Sequence, residues 1–216
     1  SLLIPENFPL DSLLFQQTKV LSKLSDSVFL EKYMNSFIGQ LQKLGYPIFL
    51  ARDLDAFLKF QGPKYVFKFA QVELEEDYFP YPVEEEIDGT AFSKIFELNR
   101  IRMHNWFEFE ALDTIWKKVF YSKQEILDGF EAQFYEEQAN GKPVLYFSID
   151  SLAVDDVYRM AADVGYQQAQ FLSDYLMNSY IDKHYTEGES PKKYFQYFYE
   201  LKMLFPFEDG FQEITK

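Results

Sequence analysis

His104 and His184 are the only imidazoles in this chain, and it contains no cysteine. Thiolate nucleophiles, disulfides, iron–sulfur clusters and cysteine-based zinc sites are therefore excluded together, and any histidine chemistry must run through one of these two side chains. Neither stands in a catalytic motif: there is no G-x-S-x-G, H-E-x-x-H, P-loop or G-x-G-x-x-G. His184 falls at the end of an expected helix, where a cation suits the dipole. His104 belongs to an alternating run, Arg100, Arg102, His104, Trp106, Glu108 and Glu110. On an extended strand these six share one face at intervals of about 6.8 Å. Such a row could line a polar pocket. The same pattern describes the solvent face of an antiparallel sheet laced with cross-strand ion pairs, and the alternation favours that description. Glu108 and Glu110 are conceivable as a glycosidase pair, but catalytic carboxylates must flank the bond they cleave, and neighbours on one strand seldom do. No catalytic residue, metal set or cofactor is assigned.

The most unusual segment runs from Glu73 to Asp88, with eight carboxylates in 16 positions and no Lys or Arg. Clustered hard oxygen donors suit calcium, yet the spacing lacks the alternating ligands and the glycine of an EF-hand loop. Phe79-Pro80-Tyr81-Pro82, set among the acids, makes the segment rigid and extended. A solvated acidic loop is expected, with a docking surface for a basic or aromatic partner as the functional reading. Its candidate contacts are Glu75, Glu76, Asp77, Phe79, Tyr81, Glu84, Glu85 and Glu86. A second aromatic cluster, Tyr194 to Tyr199, offers Tyr197 and Tyr199 as polar-tipped rings that supply contact area at low entropic cost.

The elements that must position these residues follow from periodicity. Ser1 to Leu10 reads as an extended arm. The sequence predicts a first helix from Asp11 to Leu24 and a second with the stripe Leu30, Met34, Phe37, Ile38, Leu41 and Leu44, stopped by Gly45 and Pro47. Short segments follow, a strand at 47–51 and a helix at 53–60. A strand is expected from Lys64 to about Glu75, another at 92–98, and the clearest at 100–110. Strands at 117–122, 130–135 and 144–149 precede one long helix from Val154 to His184, in which Gly165 either weakens the helix or allows close packing. Residues 186–191 read as a linker to a last, aromatic helix over 192–204. The expected fold is a single α+β domain over residues 1–216, an antiparallel-dominated sheet flanked by the N-terminal helix pair and the long C-terminal helix.

Composition sets the outer bounds. At 216 residues with 47% hydrophobic side chains, 24 Phe and 16 Tyr, the chain can build a substantial core without staples. A net charge of −14 repels phosphate backbones and anionic headgroups, so no nucleic acid is expected as a partner. No apolar run reaches the roughly 18–20 residues of a spanning helix. The start at Ser1, without Met or a leader, fits a mature chain that has lost a targeting segment.

Three stretches, Gln71-Val72-Glu73-Leu74-Glu75-Glu76, Asn105-Trp106-Phe107-Glu108 and Asp174-Tyr175-Leu176-Met177-Asn178, resemble cell-envelope lipoproteins of Bacteroidota-type bacteria. The resemblance implies an export signal ending in a lipidated cysteine before Ser1, so that membrane contact would come only through a lost lipid anchor. It also implies a non-catalytic accessory or assembly role at the outer membrane, with an envelope protein as partner. It carries over no catalytic residue. A glycan- or peptide-binding module is the alternative expectation, and a hydrolase with a carboxylate or histidine site comes after it.

Overall fold

A computed structural model describes residues 2–4, 18–87, 89–112, 116–136, 143–185, 195–198, 203–206 and 211–213. In chain order the elements are strand β1 (Leu2–Ile4), helix α1 (Asp26–Lys43), β2 (Ile48–Leu50), helix α2 (Leu54–Lys59), β3 (Tyr65–Ile87), β4 (Thr90–Ala111) and β5 (Trp116–Leu127). Then come β6 (Gly129–Glu136), β7 (Pro143–Asp150), helix α3 (Val154–Tyr185), β8 (Phe195–Phe198), β9 (Met203–Pro206) and β10 (Phe211–Glu213). The fold is α+β. A six-stranded sheet has the order β10-β5-β4-β3-β1-β2, while β6 and β7 form one hairpin and β8 and β9 another. Within the large sheet β1 runs parallel to both its neighbours, and the other pairings are antiparallel.

Helix α1 starts with Asp26 in its first turn and ends with Lys43 in its last, both placed to suit the helix dipole. Its buried line is Phe29, Tyr33, Phe37 and Leu41, at the four-residue spacing of one helical face. Leu30, Met34 and Ile38, expected at its centre, lie at the half-buried margin. Gly45 takes a φ of 88°, and Tyr46 N–H donates back to Leu41 O at 3.0 Å, which closes the helix where Gly45 and Pro47 predict it.

Helices α1 and α3 lie on one face of β3, β4 and β5. That face carries Phe67, Phe69, Ile101, Met103, Phe107 and Phe120, all buried. Phe171 of α3 meets Phe107 and Phe120 edge-on, with ring centroids at 6.1 and 5.0 Å, and Tyr33 of α1 meets Phe69 likewise at 5.0 Å. Burying each such ring contributes about 1.5–3 kcal/mol, with roughly 0.5–1.5 more from edge-on geometry. The two helices approach closely at Gly165, where an added Cβ would stand 2.3 Å from Tyr33 O. Gly165 therefore serves close packing. A polar seam lines this helix pair: Tyr33 Oη donates to Gln168 Oε1, Gln40 Nε2 donates to Gln170 Oε1 at 3.1 Å, and Tyr46 and Ser173 share a hydroxyl contact at 3.2 Å. Burial pushes the Tyr33 phenol well above its ordinary pKa, and Gln168 partly offsets this.

Three expectations are corrected. The Glu73 to Asp88 segment is not a loop: through Ile87 it continues β3, paired residue for residue with β4. The separate strands expected at 92–98 and 100–110 are one strand, β4. The terminal aromatic helix is replaced by β8 and β9, paired antiparallel from Phe195↔Pro206 to Phe198↔Met203. Five aromatics in six positions cannot form a one-sided helical stripe, whereas aromatic side chains fit a pleated surface. Of the expected first helix, residues 11–17 lie outside the described residues, and Leu21–Lys23 is a single 3-10 turn. Residues 186–191, expected as a linker, also lie outside them.

Candidate functional site

The long β3–β4 hairpin has two halves that bury opposite faces, and the sequence encodes the switch. From Ile101 to Phe109 the buried residues of β4 are the odd ones, while Phe96 and Leu98 are even. The change of parity falls at Leu98-Asn99-Arg100-Ile101, where Leu98, Asn99 and Ile101 are all buried. The proximal half thus packs its odd face on the helices. The distal half turns its even face to the β6–β7 hairpin and projects as an arm.

On the proximal half, the even face of β4 carries Arg100, Arg102, His104, Trp106, Glu108 and Glu110 in a row, as the alternation predicts. Register supplies their partners. Asp77 lies opposite Arg100 and accepts a two-pronged contact, from Nε at 2.9 Å and Nη2 at 2.7 Å. Arg102 Nη2 reaches Asp77 at 2.9 Å and Glu75 at 3.0 Å. Lys117 Nζ binds Glu108 at 2.7 Å and stands 3.6 Å from Glu110, which also takes Lys68 at 3.0 Å. His104 Nδ1 is 2.8 Å from Tyr121 Oη, and its Nε2 is 3.6 Å from Glu75. The rings of His104, Trp106 and Tyr121 lie side by side, with centroids 5.1–6.1 Å apart.

The chemistry of this row is self-neutralising. The Arg100 fork holds the Asp77 carboxyl below its ordinary range, and Lys68 does the same for Glu110. A carboxyl held ionised cannot act as general acid near neutrality. Glu108 and Glu110 reach the same ammonium from one sheet face, so they stand side by side and do not flank a substrate bond. The hydrolase expectation therefore loses its carboxylate pair. Among the described residues, no group of three or more His, Asp or Glu comes together as a metal site.

The acidic segment divides by parity. Glu75 and Asp77 are engaged with the arginines. Glu76 points to the opposite face, where its carboxylate accepts the N–H groups of Lys19, Val20 and Leu21 at 2.9–3.1 Å and Asn99 Nδ2 at 2.9 Å. It thus ties the 3-10 turn to the sheet. Phe79 lies under the Arg100 guanidinium at 5.0 Å, Tyr81 packs at a tilt against Phe130 at 5.2 Å, and Glu85 accepts Phe134 N–H at 3.3 Å. Phe96 completes that packing against Phe130 and Phe147, at 4.7 and 4.8 Å.

Among the described residues, no element packs on the other face of the arm. Tyr78 is 60% and Ile95 65% exposed, beside exposed Pro80, Pro82, Glu84, Glu86 and Glu97. No Lys or Arg stands on this face between residues 78 and 86 or between 91 and 97. Of the residues expected at a partner surface, only Glu84 and Glu86 lie here. Tyr197 lies in β8, but its side chain and all of Tyr199 fall outside the described residues, as does the His184 side chain. Ile95 was missed because it looks like an ordinary strand residue, and Tyr78 because its segment reads as a loop. The signal that finds them is the parity switch, which leaves the odd β4 positions from Ala91 to Glu97 exposed.

A second feature absent from the sequence reading is a groove of about 410 Å³ between the end of β5 and the first turns of α3, floored by Ile126, Leu127, Leu152 and Met160 and rimmed by Asp156, Arg159 and Asp163. Its walls come from segments about 30 residues apart, so no local pattern announces it. No described helix is long and apolar enough to cross a membrane. Comparison with known protein families, with curated proteins and with solved structures returns no match for this chain.

Proposed function

We propose that this chain is a non-catalytic binding module that docks a protein partner through the uncovered face of the β3–β4 arm. The observation that carries this is the pairing of two largely exposed apolar side chains, Tyr78 and Ile95, with Glu84, Glu86 and Glu97 on a face without cations. Exposed apolar side chains interspersed with carboxylates along one face suit a protein interface, and the sign of the charge selects a basic partner. An accessory or assembly role at the outer membrane, held there by a lipid anchor, extends the proposal and is supported by the resemblance to envelope lipoproteins.

A photo-crosslinking side chain placed at Tyr78 in the native cell tests the docking role. One protein partner crosslinked from position 78 but not from position 163, on the exposed side of α3, is the expected result. Crosslinks that are absent, or equally strong from both positions, overturn it. The His104, Trp106 and Tyr121 rings favour a second reading, a glycan platform on the polar sheet face. It predicts that an oligosaccharide shifts tryptophan fluorescence in the wild-type chain and not in Trp106→Phe.

A further inference from the structure

The two edges of the arm differ in what they can bond. Asn99 N–H donates to Asp128 Oδ2 and Asn99 O accepts Asp128 N–H, both at 2.9 Å, so the backbone groups of Asn99 point away from β3. Strand periodicity then turns the N–H and C=O groups of Glu97, Ile95, Ser93 and Ala91 the same way. β5 pairs with β4 only from Arg100 onward, and among the described residues no other strand pairs along 91–97. On the opposite edge Tyr78 faces Asn99 in the register, so Tyr78, Pro80, Pro82, Glu84 and Glu86 point outward from β3. Proline has no N–H. Pro80 and Pro82 thus cost the hairpin no ladder bond, and they block that edge against further strands. The β4 edge has no such guard.

We infer that the Ala91–Glu97 edge of β4 receives an extended segment of the partner protein by strand addition, and that on one face this segment sets a β-branched and a basic residue two positions apart. The inference rests on the docking role proposed above and deepens it. Main-chain bonds to the outward groups would supply affinity, and side chains at every second position would supply selectivity. A strand added here sets its same-face residues beside Ser93, Ile95 and Glu97, at the separation of ordinary cross-strand pairs. Ile95 then calls for an apolar neighbour and Glu97 for a cation two positions away. Glu84 and Glu86, on the same face, extend the preference for positive charge. A second copy of this chain is disfavoured by mutual repulsion at a net charge of −14 per chain.

The probe is a short blocked peptide alternating Thr with Lys and Val, fluorescently labelled, with a counterpart carrying Glu in place of Lys. We expect the basic peptide to raise anisotropy with the full chain, to slow amide exchange at Ser93, Ile95 and Glu97, and to bind more weakly in high salt. Ile95→Pro removes only an outward N–H, so it should leave the circular dichroism spectrum unchanged while weakening the peptide by about tenfold or more. Ile95→Ala, which keeps the N–H, should weaken it less. Should Ile95→Pro not fold, the wild-type exchange pattern decides alone. No binding of the basic peptide, equal binding of the acidic one, protection of amides elsewhere, or self-association through this edge would each overturn the inference. A protein crosslinked from position 78 together with a peptide that fails to bind would sink strand addition and leave the docking role standing. Failure of that crosslink would count against the docking role itself.

Discussion

Gly165→Ala is expected to destabilise the protein even though alanine is the better helix former. A Cβ at residue 165 would lie 2.3 Å from Tyr33 O and 3.2 Å from Phe37 N, both backbone atoms of α1, so no side-chain rotation relieves the contact. The first distance is roughly 1 Å short of a tolerable approach, so α3 must stand off from α1, and a gap of about 1 Å elsewhere in the seam forfeits about a quarter to a half of the attraction between packed atoms. Lifting α3 from α1 also stretches the buried Tyr33–Gln168 hydrogen bond. Overpacking costs about 1–3 kcal/mol and a weakened buried hydrogen bond about 1–3 kcal/mol, against a propensity gain of about 1 kcal/mol. The net expectation is a loss of about 1–5 kcal/mol, or a fall in Tm of roughly 2–20 °C for a chain of this length. Gly39, within α1, supplies the control, since nothing lies within 4 Å of its added Cβ. Gly39→Ala should gain up to about 1 kcal/mol. Urea unfolding followed by far-ultraviolet circular dichroism measures both. If Gly165→Ala is as stable as the parent, or if the two variants shift in the same direction, the close helix contact is not present in solution.

Glu76→Ala should cost about 1–3 kcal/mol, because it strips the acceptor from three backbone N–H groups. Faster amide exchange at Lys19, Val20 and Leu21 would mark the loss, and unchanged exchange there would contradict it. Asn105 is buried on the helix-covered face, and neither its Oδ1 nor its Nδ2 has a partner among the described residues. Asn105→Val should therefore raise the urea midpoint, by roughly 1–2 kcal/mol of stability; a lower midpoint would show that the amide is satisfied. Asp77, Glu110 and Asp156 are each held below the ordinary carboxyl range, chiefly by Arg100, by Lys68 and by the Ala153 N–H respectively. A depressed native pKa contributes stability that is present above the unfolded value and lost as pH falls through the folded one. Stability should accordingly decline below about pH 4, and Asp77→Asn should flatten part of that decline. Since Asp77 is over a third exposed, the effect should be small and shrink in high salt.

Much of the architecture was written locally. The α1 stripe with its Gly45 stop, the alternation of Arg100 to Glu110, the strands β6 and β7 and the long α3 each follow from a period or a terminator that needs no distant contact. The polar row was legible for the same reason. A period of two fixes which side chains share a face, whatever lies on the next strand. What the row does was not legible, because its neutralisation depends on register: Asp77 meets Arg100 only once β3 and β4 are paired.

The acidic segment shows where local reasoning stopped. Its charge and prolines resemble a loop when taken alone, and only pairing with β4 makes a strand of it, with both prolines turned to the free edge. Composition alone determined an acidic chain without cysteine that repels phosphate, and periodicity alone determined an α+β fold, because charge adds over residues and a face repeats along a backbone. Tertiary structure decided which of those faces is covered. The helices take the odd side of β4 near Phe107 and the hairpin takes the even side near Phe96. Tyr78 and Ile95 are therefore left exposed, and the Ala91–Glu97 edge unpaired among the described residues, by the placement of elements far away in sequence, which no pattern within the arm could specify.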